Sequence, residues 1–166
     1  MATSLEGSAD LDLILKLEAL AGRPERGRWL RAIEGPGDLL VESERSRRAG
    51  GRFHAALSFP VLYASEDTPE MREQIKGWPS LTAGSFRVSL DRVLDLTDKG
   101  VLEAFAPAGL DDVRFTRRLG AAARSAGFQG IVYARLMCAD GRNLAIFADR
   151  LPARALGPVR METPKA

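Results

Sequence analysis

The chain has 166 residues, 45% of them hydrophobic and 28% charged, with a formal net charge of +2. That length and mixture suit one globular domain with a core of its own, and so small a net charge does not demand a nucleic-acid partner. A single cysteine and a single histidine exclude an internal disulfide and a zinc site built on those residues.

The start of the chain, Met1 to Glu6, lacks the basic opening and apolar stretch of a signal peptide. No apolar run approaches the roughly 20 residues that cross a bilayer. The expectation is a cytoplasmic protein without a membrane segment. Residues 1–9 are small and polar and read as loose. Residues 10–20 read as a short amphipathic helix with Leu13, Leu17 and Leu20 on one face, stopped by Gly22 and Pro24. A strand is expected at Trp29 to Ile33, ended by Gly35-Pro36-Gly37. Residues 42–51 are charged and end in glycine, so they read as a loop. Pro60 to Ala64 is the next strand.

Thr68-Pro69-Glu70 is a helix start, with a capping hydroxyl, a first-turn proline and a carboxylate at the positive end of the dipole. The helix should run to Lys76 and anchor on Met71 and Ile75. Phe86 to Leu90 alternates as a strand does, and a separate segment, Val93 to Asp98, leads to a short helix at Val101 to Phe105. Asp111-Asp112 caps a longer helix with Phe115, Leu119, Ala122 and Ala126 as its buried stripe, closed at Gly127. Two apolar strands, Gly130 to Leu136 and Asn143 to Ala148, flank an Asp140-Gly141 turn signal. The tail from Pro152 reads as peripheral. The division is therefore a tail and helix at 1–22, a core domain at 23–151 and a tail at 152–166. Strands separated sometimes by helices and sometimes by loops give an α+β class rather than a βαβ repeat.

The segment Arg47 to His54 combines arginines with Gly50-Gly51. Glycines permit backbone turns that bring amides near a ligand, and the Arg52 fork could hold a phosphate through two parallel bonds. A solvated surface turn is the alternative. Tyr63 could stack on a flat heterocycle or sit in the core with its hydroxyl bonded. Glu70 and Glu73 share a helix face that could be catalytic or merely wet. Arg31 lies in a strand between apolar residues and could be its wet side. His54 reads as a loop residue. Cys138 has no free histidine to activate it as a nucleophile.

Taken in order, these features resemble the RES domain family. The match runs through Arg31, Gly50-Gly51-Arg52-Phe53, Pro60-x-x-Tyr63-Ala64, Glu73, Leu94-Asp95-Leu96-Thr97-Asp98, Gly127-Phe128-Gln129-Gly130-Ile131 and Asn143-Leu144-Ala145-Ile146-Phe147. It covers about residues 28–148. His54 stands where the family usually has Asn, Phe53 where it has Trp, and Ala32 where an aromatic is common. Arg135, or Arg114 in a second alignment, occupies the position of the signature serine, with Thr116 and Ser125 as nearby hydroxyls.

The resemblance implies an ADP-ribosyltransferase-like core: a mixed, split β-sheet flanked by helices. It implies a bacterial toxin that takes NAD as substrate, without a metal, and breaks the nicotinamide–ribose bond by phosphorolysis or hydrolysis. An ADP-ribosyltransferase acting on a protein, or an inactive RES-like binding protein, are the other readings. The resemblance assigns catalysis to Arg31, Arg52, Tyr63 and Glu73, with Glu70 competing for the glutamate role. It assigns NAD binding to Arg31, Gly51, Arg52, Tyr63, Arg114, Thr116 and Arg135. The implied partner is a cognate antitoxin with an Xre-like helix-turn-helix domain, with neither membrane nor direct nucleic-acid contact. Homo-oligomerisation and the acceptor of the ADP-ribosyl group stay open.

Overall fold

The computed structural model describes residues 3–35, 37–135 and 141–162, with side chains from Asp10 onward. Pro36, Leu136, Cys138 and Asp140 fall outside the described residues, so the expectations placed on them stay with the sequence. The elements run α1 (Thr3–Glu18), β1 (Arg23–Ile33), α2 (Leu39–Ala49), β2 (Val61–Glu66), α3 (Pro69–Lys76), β3 (Thr82–Asp95), α4 (Lys99–Phe105), α5 (Val113–Ser125), β4 (Gly130–Ala134), β5 (Arg142–Phe147) and β6 (Arg160–Met161).

The domain is α+β, but its sheet is closed rather than split. The strand order is β1-β2-β5-β4-β3-β6, and β1 also pairs with β3, which makes a five-strand barrel with β6 outside it. Alternation divides the apolar residues between two faces. Trp29, Leu62, Phe86, Leu90, Val132, Leu144 and Ile146 fill the inside. Leu17, Phe53, Leu94, Leu119, Phe128, Ile131 and Phe147 form the outer layer beneath α1 and α5. A smaller cluster of Leu30, Met71, Ile75 and Ala83 holds α3 against β1 and β3.

Several caps form as expected. Thr68 Oγ1 accepts from Met71 N–H at 3.2 Å. Asp112 caps α5, and the Leu119 and Ala122 stripe is buried. β4 and β5 pair antiparallel. Four expectations are corrected. Residues 42–51 are mostly helix, because Asp38 caps α2 through the amides of Leu40 and Val41. The apparent loop charges instead form pairs one turn apart, such as Glu44 with Arg47 and Arg48. Phe86 to Leu90 and Val93 to Asp95 are one continuous strand, β3. β1 begins at Arg23, well before Trp29. The segment after Pro152 is packed on the barrel rather than peripheral: Ala155 is buried, its carbonyl accepts from Ser89 N–H, and β6 pairs with β3.

Candidate functional site

The barrel is fastened unevenly around β1. On one side β1 pairs with β3 from Arg23 to Ile33. On the other it meets β2 only at Trp29↔Glu66 and Leu30↔Ser65. Arg31 stands where that second ladder stops. Its Nη1 donates to the Tyr63 carbonyl at 2.8 Å, so a side chain continues the connection that the strands abandon. Its Nε donates to Glu42 Oε2 at 3.1 Å, from the side of α2. Glu42 is almost fully buried, and Arg45 also reaches it at 3.2 Å. A buried carboxylate needs such partners to offset its desolvation. The guanidinium is thus fixed at two corners, while its Nη2 has no hydrogen bond among the described residues.

A cavity of about 230 Å³ opens at this place, lined by Arg31, Tyr63, Ser65, Tyr133, Asn143 and Trp78, with apolar contributions from Met71 and its neighbours. Ser65 Oγ donates to Asn143 Oδ1 at 2.9 Å, and Asn143 lies opposite Tyr133 in the β4–β5 register. Burial pushes the Tyr133 hydroxyl up to about 12 and that of Tyr63 higher still, so both stay neutral donors at physiological pH. The cavity therefore offers one cation, two tyrosine rings, an indole and a chain of neutral polar groups. Among the described residues no cluster of His, Cys, Asp or Glu could hold a metal ion.

Behind Tyr63 lies the arginine–glycine turn. Its Gly51 is a packing device: a Cβ there would meet the Tyr63 hydroxyl at 2.6 Å and its ring at 2.7 Å. Tyr63 Oη accepts the Phe53 N–H at 3.0 Å and lies 2.8 Å from His54 Nδ1. Phe53 is buried, with its ring edge-on to Tyr133 at 4.9 Å between centroids. His54 lies in the turn between α2 and β2, and its side chain is fully buried. Arg117, from α5, donates to the Gly51 carbonyl at 3.0 Å.

The structure brings Arg31 and Tyr63 together at the cavity, packs Gly51 behind the Tyr63 ring, and places the other sequence candidates outside the lining. Arg52 does not line the cavity; its Nη1 donates to the Leu110 carbonyl, although its charge is felt by both tyrosine hydroxyls. Thr116 is buried and donates to the Arg52 carbonyl at 2.6 Å, so it holds the turn to α5. Arg114 is exposed on the first turn of α5. Arg135 Nη2 donates to the Glu66 carbonyl at 2.9 Å, away from the cavity lining. Glu73 is exposed on α3 and pairs with Lys76 at 2.7 Å; Glu70 is exposed as well. Sequence reasoning missed Glu42, Ser65, Tyr133, Asn143 and Trp78. For Asn143 a signal existed in the Asn-Leu-x-x-Phe strand. For Glu42 there was none, since a carboxylate in a charged run looks solvated.

Comparison with known proteins adds three findings. A family model described as the RES domain matches residues 23–165. Comparison with curated proteins gives no match. Among solved structures, a chain in the crystal structure of the M. tuberculosis MbcT–MbcA toxin–antitoxin complex superposes with a TM-score of 0.70 at 22% identity, over 92% of each chain.

Proposed function

Because this chain belongs to the RES family, we propose that it is the toxin of a toxin–antitoxin pair and acts by consuming NAD. In this reading the bond from ribose C1′ to the nicotinamide nitrogen breaks, and its electron pair neutralises the pyridinium. An oxygen of phosphate or water forms the new bond to C1′, and the proton that a water nucleophile carries is released to solvent. The leaving group already carries positive charge, so no general acid is required. This agrees with a cavity whose tyrosines are held neutral and whose one cation, among the described lining residues, is Arg31.

The observation that carries the reading is the fixed Arg31 fork at the mouth of an aromatic cavity. A guanidinium pinned by Glu42 and the Tyr63 carbonyl offers a preorganised donor to a diphosphate or to incoming phosphate. Tyr63, Tyr133 and Trp78 suit a flat ring, and Ser65 and Asn143 suit ribose hydroxyls. About 230 Å³ lies below the roughly 300–1,000 Å³ of ordinary small-molecule sites, which fits one nucleoside end of the dinucleotide rather than the whole. The carboxylate that would steady positive charge on the ribose is assigned to α3. Glu73 is the family match and Glu70 its competitor; both stand on the exposed side of the helix whose Met71 faces the cavity. Arg52 acts in this scheme through its field on the two tyrosines.

Purified protein incubated with NAD, with and without phosphate, tests the reading. Release of nicotinamide that accelerates with phosphate is the expected result, and intact NAD at high protein concentration would overturn it. ADP-ribose found on protein by mass spectrometry would redirect it to protein modification. Single Glu70→Gln and Glu73→Gln variants decide which carboxylate serves. One feature favours a second reading, an RES-like binding protein without turnover: by the resemblance an arginine, Arg135 or Arg114, stands at the signature serine, and Arg135 is tied to the Glu66 carbonyl. NAD binding without consumption, with turnover gained on Arg135→Ser, would select it. The antitoxin is proposed by the same family membership, and growth arrest relieved by the co-expressed neighbouring gene would identify it.

A further inference from the structure

The one histidine of the chain occupies an unusual place. His54 Nε2 lies 2.7 Å from the Ser46 carbonyl, which can only accept, so Nε2 carries the proton. Nδ1 is then a bare acceptor, 2.8 Å from the Tyr63 hydroxyl. That hydroxyl already accepts the Phe53 N–H, so its own proton goes to Nδ1. A carbonyl on α2 thereby selects the tautomer, and the tautomer selects the direction of the Tyr63 hydroxyl. Gly51 closes the space behind the ring. Any change that expels the hydroxyl from this nest must move the ring toward the cavity it lines.

We propose that His54 is a positioning residue for substrate binding: its Nε2–H form holds the Tyr63 ring flush with the cavity wall. The inference rests on the reading that this cavity receives NAD. The groups facing His54 are Tyr63 from β2, the Ser46 carbonyl from α2, the Phe59 ring at 6.0 Å between centroids, and the charge of Arg117 from α5; Arg52 acts on Tyr63 from the turn. Burial, with help from Arg117, holds His54 below its ordinary value of 6.5. The sign follows. The folded state favours the neutral ring, so the arrangement is complete above 6.5 and is lost as pH falls through the lower folded value. On protonation Nδ1 becomes a donor, and two donors then face one hydroxyl.

The test uses the full chain labelled with ¹⁵N-histidine. A single histidine spectrum makes the tautomer unambiguous, and a proton on Nδ1 at neutral pH would overturn the proposal. Steady-state NAD consumption gives the second readout. His54→Asn keeps an acceptor near the Nδ1 position and should hold kcat/KM within about threefold of the parent while losing the acidic limb of its pH profile. His54→Gln keeps a donor for Ser46 but withdraws the acceptor, and should raise KM about tenfold with kcat little changed. Equal behaviour of the two variants, or an acidic limb that survives in His54→Asn, would overturn the proposal. In a Tyr63→Phe background the two substitutions should cease to differ, and a difference that persists there also overturns it. If the parent protein binds NAD without consuming it, the reading of turnover fails alone, and the same pattern is then required of Kd. If it does not bind NAD, both fail.

Discussion

The cavity at the β1–β2 seam and the turn at Gly50 to His54 lie on opposite sides of Tyr63 and manage hydrogen bonds in opposite ways. In the turn, backbone groups and the Tyr63 hydroxyl are bonded internally: Gly51 with His54 and Arg117, Phe53 and His54 with Tyr63, and Arg52 with Leu110 and Thr116. At the seam the strands part, and Arg31 is fixed with one terminal nitrogen left over beside neutral hydroxyls and an amide. Groups bonded in this way hold the wall behind Tyr63. A region that is rigid yet incompletely bonded can receive a ligand, because the cost of ordering its groups has been met by the fold.

The strongest way to break this comparison is at Arg31. Arg31→Ala should lower NAD consumption by about 10²–10³-fold, as loss of a preorganised charge donor does. It should also cost about 3 kcal/mol of stability, since buried Glu42 would keep only Arg45. Arg31→Lys should restore most of the stability and little of the turnover, because one ammonium cannot span Glu42 and the Tyr63 carbonyl. Turnover assays paired with urea denaturation separate the two effects. Next is the support itself. A Cβ on Gly120 would fall 1.9 Å from the Phe53 carbonyl oxygen, so Gly120→Ala should destabilise by about 3 kcal/mol, at the upper end of overpacking costs. A neutral outcome in urea denaturation would mean that α5 does not clamp the turn.

Arg52→Ala sharpens the contrast. The loss of its bond to Leu110 should cost about 1 kcal/mol, and turnover should fall less than tenfold. If consumption instead vanishes with the fold intact, the turn is part of the reactive site and the comparison fails. The smallest effect belongs to Glu44→Ala, which removes a half-exposed pair with Arg47 on α2 and should leave the melting temperature nearly unchanged.

Much of the fold was legible in the residues. Capping groups such as Thr68 and Asp112 act over a few positions, so local reading finds them. α2 was not legible, because its signal lies in Asp38 and in pairs one turn apart, hidden in a run that looks merely charged. Barrel closure was not legible either, since pairing of β1 with β3 is decided by distant chain segments. For the site, Arg31 and Tyr63 share one cavity, whereas Gly51 and Arg52, in the motif that drew most attention, do not line it. Motif reading locates residues that cannot be exchanged; it does not separate those that touch a ligand from those that leave no room for a side chain. Glu42 and Tyr133 join the site only because helix and strand converge there.

The brevity of the β1–β2 ladder also has a mechanical consequence. A cylinder stitched along one side of β1 and tacked at Trp29 and Leu30 on the other should open along the tacked line first. Amide hydrogens at that line should exchange before those between β1 and β3. A molecule seated across Arg31 and β2 would then serve as an extra rung, slowing exchange there and raising the melting temperature with the logarithm of its concentration above Kd.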